Sequence, residues 1–179
     1  FAQLRVTDIT SGQQVTGSFI IQQITDGAEI LTVVPGEAKI TGPAKGMGAA
    51  ITKSFAAEGA RLALIGRDVA AIEPVANEVT ASGAEAIIVP CDLTKPADCD
   101  QAADETIKAF GRIDILVNVA GGSGPVGKTG AETTPEEFDD IVTLNMNGCF
   151  HTMRSVVPAM IAQKYGKIVN VGGTFGMRG

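Results

Sequence analysis

The residues best suited to chemistry form a short glycine-rich stretch, Thr41–Gly48, which reads T-G-P-A-K-G-M-G. Its glycines are spaced G-x-x-x-G-x-G and stand just before a helix-like run, Met47–Glu58. Without a Cβ, glycine lets the backbone turn sharply and approach a phosphate closely. The N-terminus of the following helix presents free N–H groups and a positive dipole end. The stretch therefore predicts a pyrophosphate site, provided that the elements around it fit.

Those elements follow a regular alternation from residue 61 onward. The predicted strands are Arg61–Ile65, Ala86–Pro90, Ile113–Val119 and Lys167–Val171. The predicted helices are Ala70–Ser82, Pro96–Phe110 and Pro135–Ile161, the last one bent near Gly148 and Pro158. Short apolar strands that alternate with longer helices indicate βαβ units and a buried parallel sheet between two helical layers.

Residues 1–35 follow a different pattern. They read as three strands, Val6–Ile9, Gln14–Ile24 and Ala28–Val34, with a hairpin signal at Asp26-Gly27. We therefore divide the chain into a β-rich segment, 1–35, and a dinucleotide-binding domain, 36–179. The β-rich segment either pads one edge of the sheet or forms a separate small β element.

The strand that leads into Thr41 is unusual. Glu37 and Lys39 lie in it, although a central parallel strand is buried on both faces and is normally apolar. Either Ala28–Val34 takes the place of this strand, or the strand itself is irregular. The sequence leaves both alternatives open.

Composition excludes several classes of function. A net charge of -6 without a basic cluster argues against a nucleic-acid binder. The 3 cysteines form no close pair in sequence, and no Cys/His cluster has metal-ligand spacing. Free thiols favour a reducing cytoplasm. No apolar run is long enough to span a membrane, and no signal peptide is evident. The chain begins with Phe1 rather than Met, which suggests a fragment or a processed chain.

Several motifs in order resemble the short-chain dehydrogenase/reductase family, from about Lys39 to Gly179. The glycine loop resembles the family's cofactor loop, and Asn118-Val119-Ala120-Gly121 resembles its N-N-A-G motif. The resemblance implies a Rossmann-like three-layer α/β fold and hydride transfer between a nicotinamide and an alcohol or carbonyl carbon. It also implies that Asp92 binds the adenine and that Asn145 is catalytic, by holding a water in the proton path.

Two departures concern the catalytic groups. The family's catalytic serine aligns with Gly173, so Thr174 would supply a hydroxyl only if the turn shifts by one residue. The family's Tyr-x-x-x-Lys pair is absent, because the single tyrosine, Tyr165, has Val169 four residues on. We therefore expect a domain truncated before that pair, and no dehydrogenase activity from these 179 residues alone.

Local charge predicts the cofactor. Gly66 occupies the position of the acid that binds the ribose of NAD, and Arg67 follows it. Arg67 and Lys45 would attract a 2′-phosphate, which favours NADP, while Asp68 keeps NAD as the alternative. The predicted cofactor-binding residues are Thr41, Gly42, Lys45, Gly46, Met47, Gly48, Arg67, Asp92, Leu93, Asn118, Ala120 and Gly121.

Three functions remain open at this point. The chain is part of an NADP-dependent oxidoreductase acting on a small alcohol or carbonyl, a non-catalytic nucleotide-binding or assembly module, or a composite with an unrelated β segment. The resemblance also implies a homo-oligomer that pairs through the helices 96–110 and 135–161. The glycine-rich stretch 121–130 is either an active-site loop or a surface connection.

Overall fold

The computed structural model describes residues 3–8, 19–20 and 36–172. The strands are β1 Gln3–Asp8, β2 Phe19–Ile20, β3 Glu37–Thr41, β4 Arg61–Gly66, β5 Ala86–Pro90, β6 Ile115–Asn118 and β7 Lys167–Val171. The helices are α1 Gly46–Ala57, α2 Val69–Ala81, α3 Pro96–Phe110, α4 Pro135–Val142 and α5 Gly148–Ala162, with a π-helical turn, Thr143–Asn147, between the last two.

All the strands join one seven-stranded sheet in the order β2-β1-β7-β6-β3-β4-β5. The five strands from β7 to β5 are parallel, as predicted. β1 pairs antiparallel with β7, and β2 pairs antiparallel with β1. Of the two arrangements that the sequence left open for the N-terminal segment, these strands adopt the one that extends the sheet edge. The predicted strand Ala28–Val34 lies outside the described residues.

Helices cover both faces of the parallel strands, which confirms the predicted three-layer fold. One core cluster joins Ile40, Leu62 and Leu64 of the sheet to Ile72 and Val79 of α2. On the opposite face, two clusters join the sheet to α3 and α5. Their members are Ala63, Ile65, Val89, Cys91, Leu93, Cys99, Ala102 and Phe110 in one, and Ala103, Ile113, Leu116, Val156, Met160 and Ile168 in the other.

The irregular strand is the central one. β3 lies between β4 and β6, so Glu37 and Lys39 belong to the middle of the sheet. Glu37 lies at the amino-terminal edge, where its carboxylate accepts a hydrogen bond from Arg61 Nε at 2.9 Å. Arg61 also donates to the carbonyl of Phe110, and Arg112 pairs with Asp114 beside them. Burial raises the pKa of Glu37, and the neighbouring arginines keep its charge compensated.

Lys39 has no such compensation. Its side chain is 0% exposed, and its Nζ has no hydrogen-bond partner among the described residues. Lys39 pairs in register with Ala63 and Leu116, so it projects toward the face covered by α3 and α5. Burial lowers the pKa of its ammonium to about 8, against the opposing effect of nearby thiols and acids. A charged ammonium that is buried without a hydrogen-bond partner lowers the free energy of unfolding.

We expect Lys39→Met to stabilise the fold at neutral pH. The pKa of Lys39 is lower folded than unfolded, so its penalty is complete below about pH 8 and disappears as the pH rises toward the unfolded value. The difference between the ordinary lysine pKa of 10.5 and the folded pKa of about 8 corresponds to a penalty of about 3 kcal/mol at pH 7. Urea unfolding at pH 7 and pH 10 should show a gain at pH 7 that shrinks markedly at pH 10.

Lys53→Met is the matched control, because Lys53 is an exposed lysine of α1 that pairs with Glu78. Its free energy of unfolding should change by less than about 0.5 kcal/mol at either pH. Destabilisation by Lys39→Met, or an equal gain at both pH values, would contradict the proposed buried charge.

Candidate nucleotide-binding site

The predicted glycine loop joins the end of β3 to the start of α1. Gly42 and Gly46 have φ of +65° and +55°, a conformation that other residues rarely adopt. A Cβ on Gly48 would lie 2.0 Å from the carbonyl oxygen of Gly42. A Cβ on Gly42 would lie 2.9 Å from the Cα of Ala120. The spacing of the glycines thus lets three pieces of backbone meet where β3 ends.

The start of α1 faces this loop. Its N-cap residue, Lys45, makes no side-chain capping bond within the described structure. The N–H groups of the first turn, which have no acceptor within the helix, therefore point toward the loop together with the positive end of the helix dipole. Lys45 and Met47 are exposed beside them. This is the arrangement that binds phosphate in many proteins.

Thr41 has a role that the sequence did not reveal. It was predicted to contact the cofactor, but it is buried, and its Oγ1 accepts hydrogen bonds from the N–H groups of Val119 and Ala120 at 3.1 and 3.2 Å. The hydroxyl thereby ties the end of β3 to the segment that follows β6. Thr41 shapes the site by holding this backbone in place.

A cavity of about 530 Å³ opens over the glycine loop. Its walls come from the carboxyl-terminal ends of parallel strands and from the helices that follow them, which is where open α/β sheets bind ligands. The predicted residues among its lining are Gly42, Lys45, Met47, Gly48, Arg67, Leu93, Ala120 and Gly121. Sequence reasoning did not select Ile65, Ala71, Ile72, Cys91, Val119 or Leu144, which also line it.

Two charged residues after β4 have different roles. Arg67 is exposed on the cavity wall. Asp68 is the N-cap of α2, and its Oδ1 accepts a hydrogen bond from the N–H of Ala71 at 3.0 Å. The acid that kept NAD as an alternative thus caps a helix with one of its oxygens, and it also lines the cavity next to Arg67.

Gly46, Asp92 and Asn118 were predicted at the cofactor but are not among the described residues that line the cavity. Asp92 lies between two lining residues, and its Oδ1 accepts from the N–H and Oγ1 of Thr94 at 3.1 and 2.8 Å. The hydrogen bond from the Thr94 hydroxyl lowers the pKa of the Asp92 carboxyl. Asn118 is buried, donates to Asn170 Oδ1 and accepts from Thr152 Oγ1. It fastens β6 to β7 and α5.

Asn145 lies in the π-helical turn and holds the glycine-rich loop. Its Oδ1 accepts from Gly122 N at 2.9 Å, and its Nδ2 donates to Gly122 O and to Ile141 O, each at 3.0 Å. Residues of this loop and of α4 form a second, smaller cavity of about 310 Å³, with lining residues Gly122, Gly124, Pro125, Glu137, Asp140, Ile141, Leu144 and Asn145. Leu144 lines both cavities.

The other predicted catalytic group, Thr174, lies outside the described residues, as does Gly173. Tyr165 lies just before β7, at the opposite edge of the sheet from the cavities, and its N–H donates to Met160 O. That Tyr165 is not the catalytic tyrosine stays a prediction. Among the described residues, no group of three or more His, Cys, Asp or Glu side chains could hold a metal ion.

Comparison with known proteins defines the class. The family model of short chain dehydrogenases matches residues 37–179. A putative ketoacyl reductase of the granaticin polyketide synthase from Streptomyces violaceoruber is 33% identical over 163 residues, which cover 87% of this chain and 59% of the relative. A sorbitol dehydrogenase from Cereibacter sphaeroides is 35% identical over 145 residues, which cover 79% of this chain and 54% of the relative. The chain belongs to the short-chain dehydrogenase family.

Solved structures agree with this assignment. A metagenomic short-chain oxidoreductase in complex with NADP has a TM-score of 0.69 and 37% identity, over 73% of this chain and 58% of that one. A putative short-chain dehydrogenase/reductase from Burkholderia xenovorans has a TM-score of 0.76 and 30% identity, over 80% of this chain and 56% of that one. This chain thus spans little more than half the length of the proteins that it matches.

We expect Thr41→Val to loosen the wall formed by Val119 and Ala120. Valine keeps the shape of threonine but offers no acceptor, so two N–H groups lose their partner, at a cost of about 1–3 kcal/mol. Hydrogen exchange of the Val119 and Ala120 amides should become faster in Thr41→Val. Thr41→Ser retains the hydroxyl and should preserve the protection of both amides, and faster exchange in both variants would contradict this role of Oγ1.

Proposed function

We propose that this chain is the nucleotide-binding part of an NADP(H)-dependent oxidoreductase acting on a small alcohol or carbonyl compound. The observation that carries the proposal is the cavity over the glycine loop, where backbone approach, a helix N-terminus and two cations converge. The family membership of the chain supports a nicotinamide nucleotide as the ligand.

The backbone of the site fits a bound pyrophosphate. Gly42 and Gly48 form the cradle of the site, because a Cβ at either glycine would strike the facing backbone, of Ala120 or of Gly42. Lys45 stands at the start of α1 and Ala120 and Gly121 form the facing wall. When bound, the nucleotide would supply or accept the hydride. The protein residues named here would bind its phosphates and orient it along the ends of β3 and β6.

The preference for NADP over NAD rests on the groups after β4. Gly66 has no side-chain carboxylate to bind a ribose hydroxyl, and Asp68 caps α2. Arg67 is exposed on the cavity wall, where a guanidinium would bind a 2′-phosphate by charge-assisted hydrogen bonds. The solved relative in complex with NADP supports this choice.

The names of relatives support the substrate class. They include the ketoacyl reductase and sorbitol dehydrogenase described above and a 2-(R)-hydroxypropyl-CoM dehydrogenase from Xanthobacter autotrophicus. The smaller cavity beside Asn145 adjoins the larger one through Leu144, so it is the place that we assign to the substrate. Roles for Asn145 in holding a water and for Thr174 as a hydroxyl donor stay predictions.

A homo-oligomer through the long helices is part of the proposal. Phe138 of α4, Met146 of the π-helical turn and Phe150 of α5 are between 57% and 65% exposed. Large apolar side chains exposed together on one surface favour an interface. No described helix is long and apolar enough to cross a membrane. We infer a cytoplasmic location, and the free thiols of the described Cys91, Cys99 and Cys149 support it.

We expect Gly48→Ala to weaken nucleotide binding strongly. The added Cβ collides with the Gly42 carbonyl, so the loop and α1 must separate, and overpacking of this kind costs about 1–3 kcal/mol. Isothermal titration with NADPH should show a loss of affinity of about 5-fold to 140-fold, since each 1.4 kcal/mol is tenfold.

Gly59→Ala is the matched control for that variant. Gly59 lies past the other end of α1, has φ of +78°, and has open space around its Cα. The substitution should lower stability but leave the NADPH affinity of the folded protein unchanged. Equal losses of affinity in Gly48→Ala and Gly59→Ala would show that the cradle is not the binding site.

We expect Arg67→Ala to discriminate between the two cofactors. It should weaken NADPH by about 1–3 kcal/mol, the range of a charge-assisted hydrogen bond, and leave NADH nearly unchanged. Arg67→Lys should restore part of the NADPH affinity, and Lys53→Ala, away from the cavity, should change neither. Equal losses for NADPH and NADH in a parallel titration would argue against the NADP assignment.

A further inference from the structure

Two buried cysteines, Cys91 and Cys99, lie beside the larger cavity. The Sγ atoms of Cys91 and Cys99 are 3.9 Å apart, and the Cys99 Sγ lies 3.8 Å from the carbonyl oxygen of Leu93. Cys91 follows β5 and lines the cavity, while Cys99 lies in the first turns of α3. A disulfide requires about 2.05 Å between the sulfurs, so the two sulfurs would have to approach each other by about 1.9 Å.

The unpartnered ammonium of Lys39 acts on the same two sulfurs. The hydrogen bond that Cys91 donates to Cys99 is the largest influence on both thiols: it raises the pKa of Cys91, as burial also does, and lowers the pKa of Cys99. The charge of Lys39 lowers the pKa of both thiols, and the charge of Asp98 opposes Lys39 by raising both. A buried dithiol with a cation beside it loses its first proton more readily than an isolated buried thiol.

We propose that Cys91 and Cys99 are a redox modification site that reacts with small hydroperoxides to form an intramolecular disulfide, with Lys39 as the positioning residue that stabilises the thiolate. The proposal does not depend on the function of the nucleotide site. Cys91 is the sulfur that a small oxidant reaches, because it alone of the pair lines the cavity.

The chemistry proceeds in two steps. The Cys99 sulfur carries the negative charge of the deprotonated pair, and Cys91 donates its S–H to it. As the Cys91 sulfur attacks one peroxide oxygen, its proton passes to Cys99, an S–O bond forms as the O–O bond breaks, and the hydroxide that leaves takes up the proton first released by the pair, as water. The sulfur is thereby oxidised by two electrons to a sulfenic acid. The Cys99 sulfur then attacks it, an S–S bond forms as the S–O bond breaks, and the leaving hydroxide takes the Cys99 proton. In sum, two thiols and one hydrogen peroxide give one disulfide and two waters.

The test treats the reduced 179-residue chain with stoichiometric hydrogen peroxide and measures intact mass and free thiols over time. We expect the mass to fall by two hydrogens, two thiols to disappear, and dithiothreitol to restore both. A protease that cleaves before aspartate separates the two cysteines, because Asp92 and Asp98 lie between them. The digest of the oxidised chain should then contain the two peptides linked to each other.

Variants make the test specific. Cys91→Ala and Cys99→Ala should each abolish the linkage, while Cys149→Ala, which removes the third thiol, should form it at the normal rate. Lys39→Met keeps both thiols and should slow the linkage by about tenfold, the effect of about one pKa unit on the thiolate. Restored rates in Lys39→Arg would separate the charge from a change of packing.

Three results would overturn the proposal. One is addition of oxygen to Cys91 alone without a linkage, and another is a linkage that involves Cys149. The third is an unchanged rate of linkage in Lys39→Met, which would remove the lysine from the site even if the disulfide forms.

Discussion

The close approach of three backbone segments where β3 ends is the constraint on which the site depends. A Cβ on Gly48 would collide with the Gly42 carbonyl, and a Cβ on Gly42 would collide with Ala120 in the segment after β6. Any side chain at either glycine would separate these segments. The shape of the cavity is therefore set by how closely these backbone segments approach one another. The side chains of Lys45 and Arg67 contribute positive charge at its walls but do not determine its shape. The buried hydroxyl of Thr41 adds the hydrogen bonds that keep this meeting point in register.

The central strand shows how position along a strand decides what a buried charge costs. Glu37 and Lys39 are two residues apart and both buried. Glu37 is near the amino-terminal edge, where Arg61 at the start of β4 and Arg112 before β6 pair with it. Lys39 lies deeper in the strand, and its Nζ has no hydrogen-bond partner among the described residues. The nearby groups that partly oppose the cost of its burial are the thiols of Cys91 and Cys99 and the carboxylates of Asp100 and Asp104. A net stability of 5–15 kcal/mol, typical of domains, tolerates one such residue.

Much of the fold was predictable because local signals mark the ends of its elements. α3, β5 and β7 have the predicted bounds. Pro96 begins α3 at a position where its missing N–H costs nothing, and Gly111 ends it with φ of +85°. The bounds of β6 were too wide, because Ile113 and Asp114 lie before the strand. The predicted single helix 135–161 is two helices around a π-helical turn, since a shift from i+4 to i+5 bonding leaves no signal in apolar periodicity.

The parts of the candidate site that are formed by residues close together in sequence could be predicted from the sequence. The glycine loop and Arg67 follow from residues adjacent in sequence. The bonds from Val119 and Ala120 to Thr41 span 78 and 79 residues, so only the folded structure shows that this hydroxyl is used inside the protein. The capping role of Asp68 was readable from its place before an apolar-periodic run, but an acid at the end of β4 suggests a ribose contact equally well.

Hydrogen bonds from three elements hold the end of β6 and the segment after it. These bonds keep the two cavities next to each other. Thr41 of β3 accepts from the N–H groups of that segment, and Asn145 of the π-helical turn holds Gly122. Thr152 of α5 donates to Asn118, the last residue of β6. Because the same turn carries Leu144, whose side chain lines both cavities, the turn fixes the distance between them. A nucleotide in one cavity and a small molecule in the other would lie on either side of Leu144, in a region that is anchored to the sheet. Such anchoring is what a transfer between two bound molecules requires, because the transferred atom has to travel a fixed, short distance.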